Sequence, residues 1–229
     1  MVTTQDVHDV VRSSPAAVAA HDKAGWIALF DDDYVIEDPV GWRPVRGDDI
    51  FSFWDAFIAP NDIDFVVHHD WIDGLHVVRD VTVVTTLGTG LEVRTPAHLR
   101  YELVERDGVL KVGRMAAHWE LVPNFAQLMR PRATHIRSMA AMNASLVRNL
   151  GPRDTARYVG AVRSVGTKGK RAVRAYLGSR VADLDKVIAS GNVVTANGTV
   201  DGQPAAVIAT LDRKTRTVLD CRIYTDLID

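Results

Sequence analysis

The sequence holds a single cysteine, Cys221, among 229 residues. That excludes an internal disulfide and, without cysteine partners, a thiolate zinc site. Basic excess is missing too: 27 Lys and Arg stand against 29 Asp and Glu, a net charge of −2. Nothing in that balance points to nucleic acid or an anionic membrane surface as a partner. No apolar run approaches the roughly 20 residues that a membrane span requires. The first residues, MVTTQDVHDVVRSS, carry acids and lack an apolar centre, so no signal peptide is expected. A cytoplasmic location is the resulting expectation. What is present suits a globular protein: 47% hydrophobic and 24% charged residues. The length is large for one domain and comfortable for two small ones.

Helix signals come first. Ser14 followed by Pro15 predicts a helix start, Asp22 caps a second short helix, and 34–37 reads as a strand. In 47–58, Ile50, Phe53, Trp54 and Phe57 recur at amphipathic helical spacing. Beyond Pro60 the texture becomes long, β-branched and alternating, over 63–73, 76–88, 91–105 and 109–121. Gly74, Gly88, Gly90 and the Asp107-Gly108 pair punctuate these runs as turns. Helices followed by a curling antiparallel sheet predict an α+β cone enclosing a pocket. A linker is expected over 124–133, between a first unit at 1–123 and a second at 134–229. The second repeats the order of the first in shortened form: 158–177 echoes 34–54, and 205–227 echoes 99–121.

The stretch EDPVG, with Glu37 and Asp38 before Pro39 and Gly41, raises the question of function. Asp38 either bonds the backbone of its own turn or is aimed by that turn into a pocket. Around it, HDKAGWIALFDDDYVIEDPVGWRPVRGDDIFSFW resembles the ketosteroid isomerase branch of the SnoaL-like, NTF2-like superfamily. The matching pieces are the Asp-x-x-Ala-x-x-x-Leu-Phe helix, the Asp31-Asp32-Asp33 corner, Val-x-Glu-Asp-Pro-Val-Gly and the strand ending in AAHW at 116–119. The resemblance covers about 14–121, and 134–229 in outline. It implies tandem NTF2-like, cystatin-like cones and a general base that moves a proton between two carbons; that base is Asp38. The family's oxyanion partners are not carried over. Its tyrosine position falls on Ser14, and its protonated aspartate on Leu99 or Arg100. Authentic ketosteroid isomerisation is therefore not expected.

Alternation assigns the remaining candidates. Ala97, Leu99, Tyr101 and Leu103 share one face, as do Met115, Ala117 and Trp119, and these apolar faces should point inward. Tyr101 is then a candidate hydroxyl donor. His69 shares a face with Phe65, Val67 and Trp71 and is a candidate acid–base partner. His68 and Asp70 face the other way, so no three ligands converge and no metal is expected. His118, next to Trp119, belongs to an interface or the surface. The expected catalytic set is Asp38, Tyr101 and His69. The expected substrate-binding set is Phe30, Trp54, Trp71, Leu99, Met115 and Trp119. Arg100 and Glu102 share the outer face; an Arg-x-acid element of this kind, if turned inward, would suit an epoxide hydrolase.

In the second unit the position matching Asp38 falls on Gly160 or Val162, and that of Trp119 on Tyr224 or Thr225, so this half reads as chemically silent. Its expected purpose is to cover the first sheet, an intrachain pseudo-dimer that leaves further homodimerisation open. The leading expectation is cofactor-independent acid–base catalysis on a hydrophobic small molecule, of isomerase, dehydratase or cyclase type. The alternative from another class is a non-catalytic binding or assembly protein.

Overall fold

A computed structural model describes residues 2–128, 133–160 and 163–228. Helix α1 (Thr4–Ala19) begins ten residues before the expected Ser14–Pro15 start. Thr3 Oγ1 accepts from Asp6 N at 3.2 Å while Thr3 N donates to Asp6 Oδ2 at 2.8 Å, a reciprocal cap that satisfies the helix end. Val7, Val11, Ser14 and Val18 then fall on one buried face, and Pro15 lies inside the helix. Asp22 caps α2 (Lys23–Ala28) as expected, accepting from Gly25 N at 2.8 Å. Strand β1 (Phe30–Glu37) starts earlier than predicted. The predicted helix over 47–58 is α3 (Asp49–Phe53) continuing as a π-helical turn, Trp54–Ile58.

Four long strands follow close to their expected bounds: β2 (Asn61–Asp73), β3 (His76–Leu87), β4 (Glu92–Arg106) and β5 (Val109–His118). They pair antiparallel in sequence order, and β1 adds in parallel to β5. Asp107 and Gly108, both at positive φ, make the predicted hairpin turn between β4 and β5. The inner face of this sheet packs on α1, α2 and α3, forming the expected α+β cone.

Helix is found over the described residues of 124–150, as expected, but the linker is not where it was placed. The predicted linker over 124–133 begins inside α4 (Leu121–Leu128), and α5 (Ala133–Gly160) follows. Gly151, at φ 79° and ψ 163°, breaks α5 before Pro152. Both segments of α5 pack on the first unit: Leu146 and Tyr158 are buried in its core. Tyr158 and Gly160 therefore sit on a helix, not the strand expected from the repeat, and Val162 lies outside the described residues. Helix α6 (Gly166–Leu177) and strands β6 (Ala182–Ser190), β7 (Val193–Val200), β8 (Gln203–Leu211) and β9 (Val218–Tyr224) make a second antiparallel layer. A last strand, β10 (Leu227–Ile228), returns to the edge of the first sheet beside β2.

The second sheet covers the outer face of the first. Trp71 and Val78 pack against Ala206, Ile208 and Tyr224, and Trp71 Nε1 donates to Pro204 O at 3.1 Å. Beside them lies a buried polar network. Lys186 Nζ donates to Asp80 and to Val81 O (2.6 Å), and Asn197 Nδ2 donates to Asp80 Oδ2 at 2.6 Å. Asn197 thereby turns its oxygen to His98 Nε2 (2.8 Å), leaving His98 Nδ1 to accept from Thr195 Oγ1 at 2.7 Å. One donor and one acceptor nitrogen describe a neutral imidazole. Burial, then the Lys186 charge, depresses the His98 pKa accordingly. His118 is buried in the same layer, and burial lowers its pKa to about 3. Among the described residues no helix is long and apolar enough to cross a membrane.

Candidate functional site

A cavity of about 230 Å³ lies between the inner sheet face and the helices. Its wall is mainly apolar: Val18, Trp26, Phe53, Ala56, Phe57, Phe65, Val83, Leu99, Met115 and Leu121, closed by Phe125 of α4 and Met142 and Leu146 of α5. The polar groups reaching it include Asp38, Ser14, Tyr101, Tyr158 and Trp119. Such a lining suits a hydrophobic small molecule oriented by a few hydrogen bonds.

Asp38 ends the run that starts with β1, at a cis bond to Pro39. Val40 N donates to Ala117 O at 2.9 Å and Trp42 N to Pro39 O at 3.1 Å, so the turn is tied to β5 and to itself. The Asp38 carboxyl therefore does not serve its own turn. It lies half-buried in the cavity wall, and Trp119 Nε1 donates to its Oδ1 at 2.7 Å. Burial raises its pKa to about 6, against the smaller downward pull of the Trp119 hydrogen bond.

Tyr101 stands on the inner face of β4, its hydroxyl 3.4 Å from Ser14 Oγ, which also accepts from Trp26 Nε1 at 3.2 Å. Burial raises the Tyr101 pKa, so its hydroxyl keeps its proton. Tyr158, absent from the expected set, enters from α5; its ring meets Trp42 edge-on at 5.3 Å and Phe57 at 5.1 Å. Burial, and then the charge of Asp38, holds its pKa well above the usual phenol range. The echo of 34–54 in 158–177, which predicts a strand start at Tyr158, hid this residue.

Leu99, Met115 and Trp119 line the cavity, and four other candidates do not. His69 and Trp71 face outward because of a bulge between Val67 and His69, where β2 gains one residue over β3. The extra residue inverts the alternation. Phe65 reaches the cavity, whereas Trp71 turns into the layer between the sheets. His69 sits half-exposed, its ring 5.4 Å from Trp71 and its Nδ1 3.7 Å from Asp80 Oδ2. The same inversion brings Asp70 inward, where it accepts two 2.7 Å bonds from Arg79 and lies 2.8 Å from His8 Nε2 of α1. Burial alone would raise the Asp70 pKa; Arg79 outweighs it and holds the carboxylate ionised.

Trp54 stays behind the cavity against Trp26, 5.4 Å between ring centroids. The π turn, closed by Ala59 N to Trp54 O at 2.9 Å, is wider than an α turn and presents Ala56, Phe57 and Ile58 instead. Phe30 opens β1 rather than extending α2; its ring meets Trp26 edge-on at 4.8 Å, and Trp26 separates it from the cavity. Arg100 bonds Glu102 at 2.9 Å on the outer face, in a chain that continues through Arg114 to Glu37. Those two residues assemble no acid–Arg cluster in the cavity. His68 Nε2 lies 3.0 Å from Thr82 Oγ1.

Residues 11–112 match the family model of the SnoaL-like domain. No curated protein matches the sequence. Among solved structures, a Mycobacterium tuberculosis protein in complex with estradiol-17beta-hemisuccinate is 24% identical, with 51% of this chain and 95% of that one covered at a TM-score of 0.47. A Delta 5-3-ketosteroid isomerase from Mycobacterium sp. gives the same identity, coverage and TM-score. An M. tuberculosis LEH-like epoxide hydrolase is 19% identical over 62% of this chain and 97% of that one, at a TM-score of 0.47.

Proposed function

We propose that the cavity binds a hydrophobic small molecule and moves a proton on it, with Asp38 as the general base. The observation that carries this reading is the Asp38 carboxyl, set into an apolar wall and held by one indole N–H, with its pKa pushed up to about 6. A base whose pKa lies close to neutral is ionised at working pH and still basic enough to accept a proton. Its carboxylate takes a proton from carbon next to a carbonyl or comparable acceptor. The resulting enolate is stabilised by hydroxyl donation from Tyr158 or Tyr101, and Asp38 returns the proton to another carbon or to a leaving oxygen. Atoms balance and no electrons leave the substrate, which fits isomerisation, dehydration or cyclisation.

Steroid isomerisation with the family's own oxyanion pair is not the proposed reaction, because Ser14 and Leu99 or Arg100 stand at those positions. Binding without chemistry is the second reading, favoured by Tyr101 already facing Ser14. One experiment separates the two. Enones and polyketide-like compounds are screened for binding and for solvent deuterium uptake, with wild type, Asp38→Asn and Tyr158→Phe. The proposed reaction predicts exchange that Asp38→Asn abolishes and Tyr158→Phe slows by about 10²–10³-fold, as for one lost oxyanion donor. Ligands that bind wild type and Asp38→Asn alike, with no exchange in either, would establish the binding-only role.

A further inference from the structure

The turn that carries Asp38 is held on its far side by the second unit. A Cβ added at Gly41 would lie 2.6 Å from Gly191 Cα, and one at Gly191 would lie 2.8 Å from Gly41 Cα. Both glycines have positive φ, 104° and 56°, so each position is closed to a side chain by space and by backbone conformation. Gly191 belongs to the turn between β6 and β7. Its neighbour Ser190 is buried and donates from Oγ to Val40 O at 2.7 Å. Gly191 O in turn accepts from Val165 N at 2.8 Å, just before α6.

The other member of the pair is fastened from the same unit. Trp119 is followed by Glu120, which accepts from Lys170 Nζ of α6 at 2.8 Å and from Ala189 N of β6 at 3.4 Å. A small cavity of about 50 Å³ at this joint is lined by Trp119, Glu120, Ala189 and Ser190. The segment bearing the carboxyl and the segment bearing its hydrogen-bond donor thus each end on one corner of the second sheet.

We propose that Ser190 and Gly191 are positioning residues, through which the second unit fixes the Asp38 carboxyl against the Trp119 indole in the first-unit cavity. The role rests on the reading of Asp38 as the base. It gives a function in the reaction to α6 and the second sheet, none of whose described residues lines the cavity. Burial is the larger influence on Asp38, so a loosened turn that admits water lets its pKa fall toward the ordinary carboxylate range.

The test uses the full chain and three variants: Ser190→Ala, Gly191→Ala and Gly202→Ala. Gly202 shares the positive φ of Gly191, but a Cβ there would meet nothing within 4 Å, so it controls for backbone strain alone. The readouts are the Asp38 carboxyl-carbon titration and the Trp119 indole proton resonance. Ser190→Ala and Gly191→Ala are expected to lower the Asp38 pKa by about 0.5 unit or more and to move the indole resonance upfield. Gly202→Ala should leave both at wild-type values, and Ser190→Thr should restore them. The proposal is overturned by folded Ser190→Ala protein whose Asp38 and Trp119 signals match wild type, and that variant decides if Gly191→Ala does not fold. An ordinary Asp38 pKa in the wild type would instead sink the general-base reading, while the indole resonance would still report on the joint.

Discussion

Asp38 stores an unfavourable interaction that the rest of the fold holds in place. Its folded pKa, about 6, lies above the ordinary 3.8, so between those values the folded state keeps a proton that the unfolded chain has released. Stability attributable to this group is then greatest below about pH 4 and is lost as pH rises through 6. A shift of that size corresponds to about 3 kcal/mol. Asp38→Asn keeps an oxygen for the Trp119 N–H and removes the charge, so at pH 8 it should be the more stable protein. Urea titrations of both proteins from pH 4 to 8 should diverge in this sense; parallel curves would show that the carboxyl is solvated. At this scale the sequence was informative about Asp38, Leu99, Tyr101, Met115 and Trp119, because the EDPVG motif and strict alternation on β4 and β5 place them. It was silent about Asp38's partner, since the Trp119 bond depends on how the Pro39–Gly41 turn docks on Ala117.

Among elements, the bounds of β2 to β5 were legible from β-branched runs and turn residues. The faces of β2 were legible only up to its bulge. One inserted residue moves every following side chain to the opposite face, and no residue type in Val66-Val67-His68-His69 announces it. That single irregularity accounts for both misplaced candidates, His69 and Trp71. Likewise, the π turn preserves the apolar stripe of 47–58 while shifting which members reach the cavity, so Trp54 reads correctly as apolar and incorrectly as lining. Because Trp71 anchors the layer between sheets, Trp71→Ala should destabilise the protein by about 3–5 kcal/mol while leaving ligand affinity within a few-fold of wild type. Chemical denaturation together with a binding isotherm on the same preparation checks this. A large affinity loss with little destabilisation would return Trp71 to the cavity.

At the scale of the whole molecule, the contact between the two sheets is both apolar and charged. Asp80 shows the balance: burial would raise its pKa, but the Lys186 bond and charge outweigh it and keep it ionised. Lys186→Met would strand that carboxylate between the sheets, a loss on the order of 3–5 kcal/mol for a broken buried pair. Double substitution with Asp80→Leu should recover much of it, as read by thermal unfolding; if the single and double variants melt alike, the pair is not the link it looks to be. The two strands within 205–227 were legible from the echo of 99–121, whereas the echo of 34–54 in 158–177 predicted a strand where Tyr158 lies on α5. The allegiance of α5 was not legible, since Tyr158 reads as a strand residue until α5 folds its ring beside Trp42 and Phe57.

The return of β10 to β2 sets a timetable for synthesis. Leu227 pairs with Trp71 and Ile228 with Asp70, so the first sheet acquires its edge strand some 150 residues after β2 has left the ribosome. Until then β2 presents an open ladder, although α5 (Ala133–Gly160) and the residues that cover Trp71, Ala206, Ile208 and Tyr224, are made earlier. A nascent chain paused before residue 140 holds Asp38 and its indole partner Trp119 but neither most of α5 nor the corner that braces them.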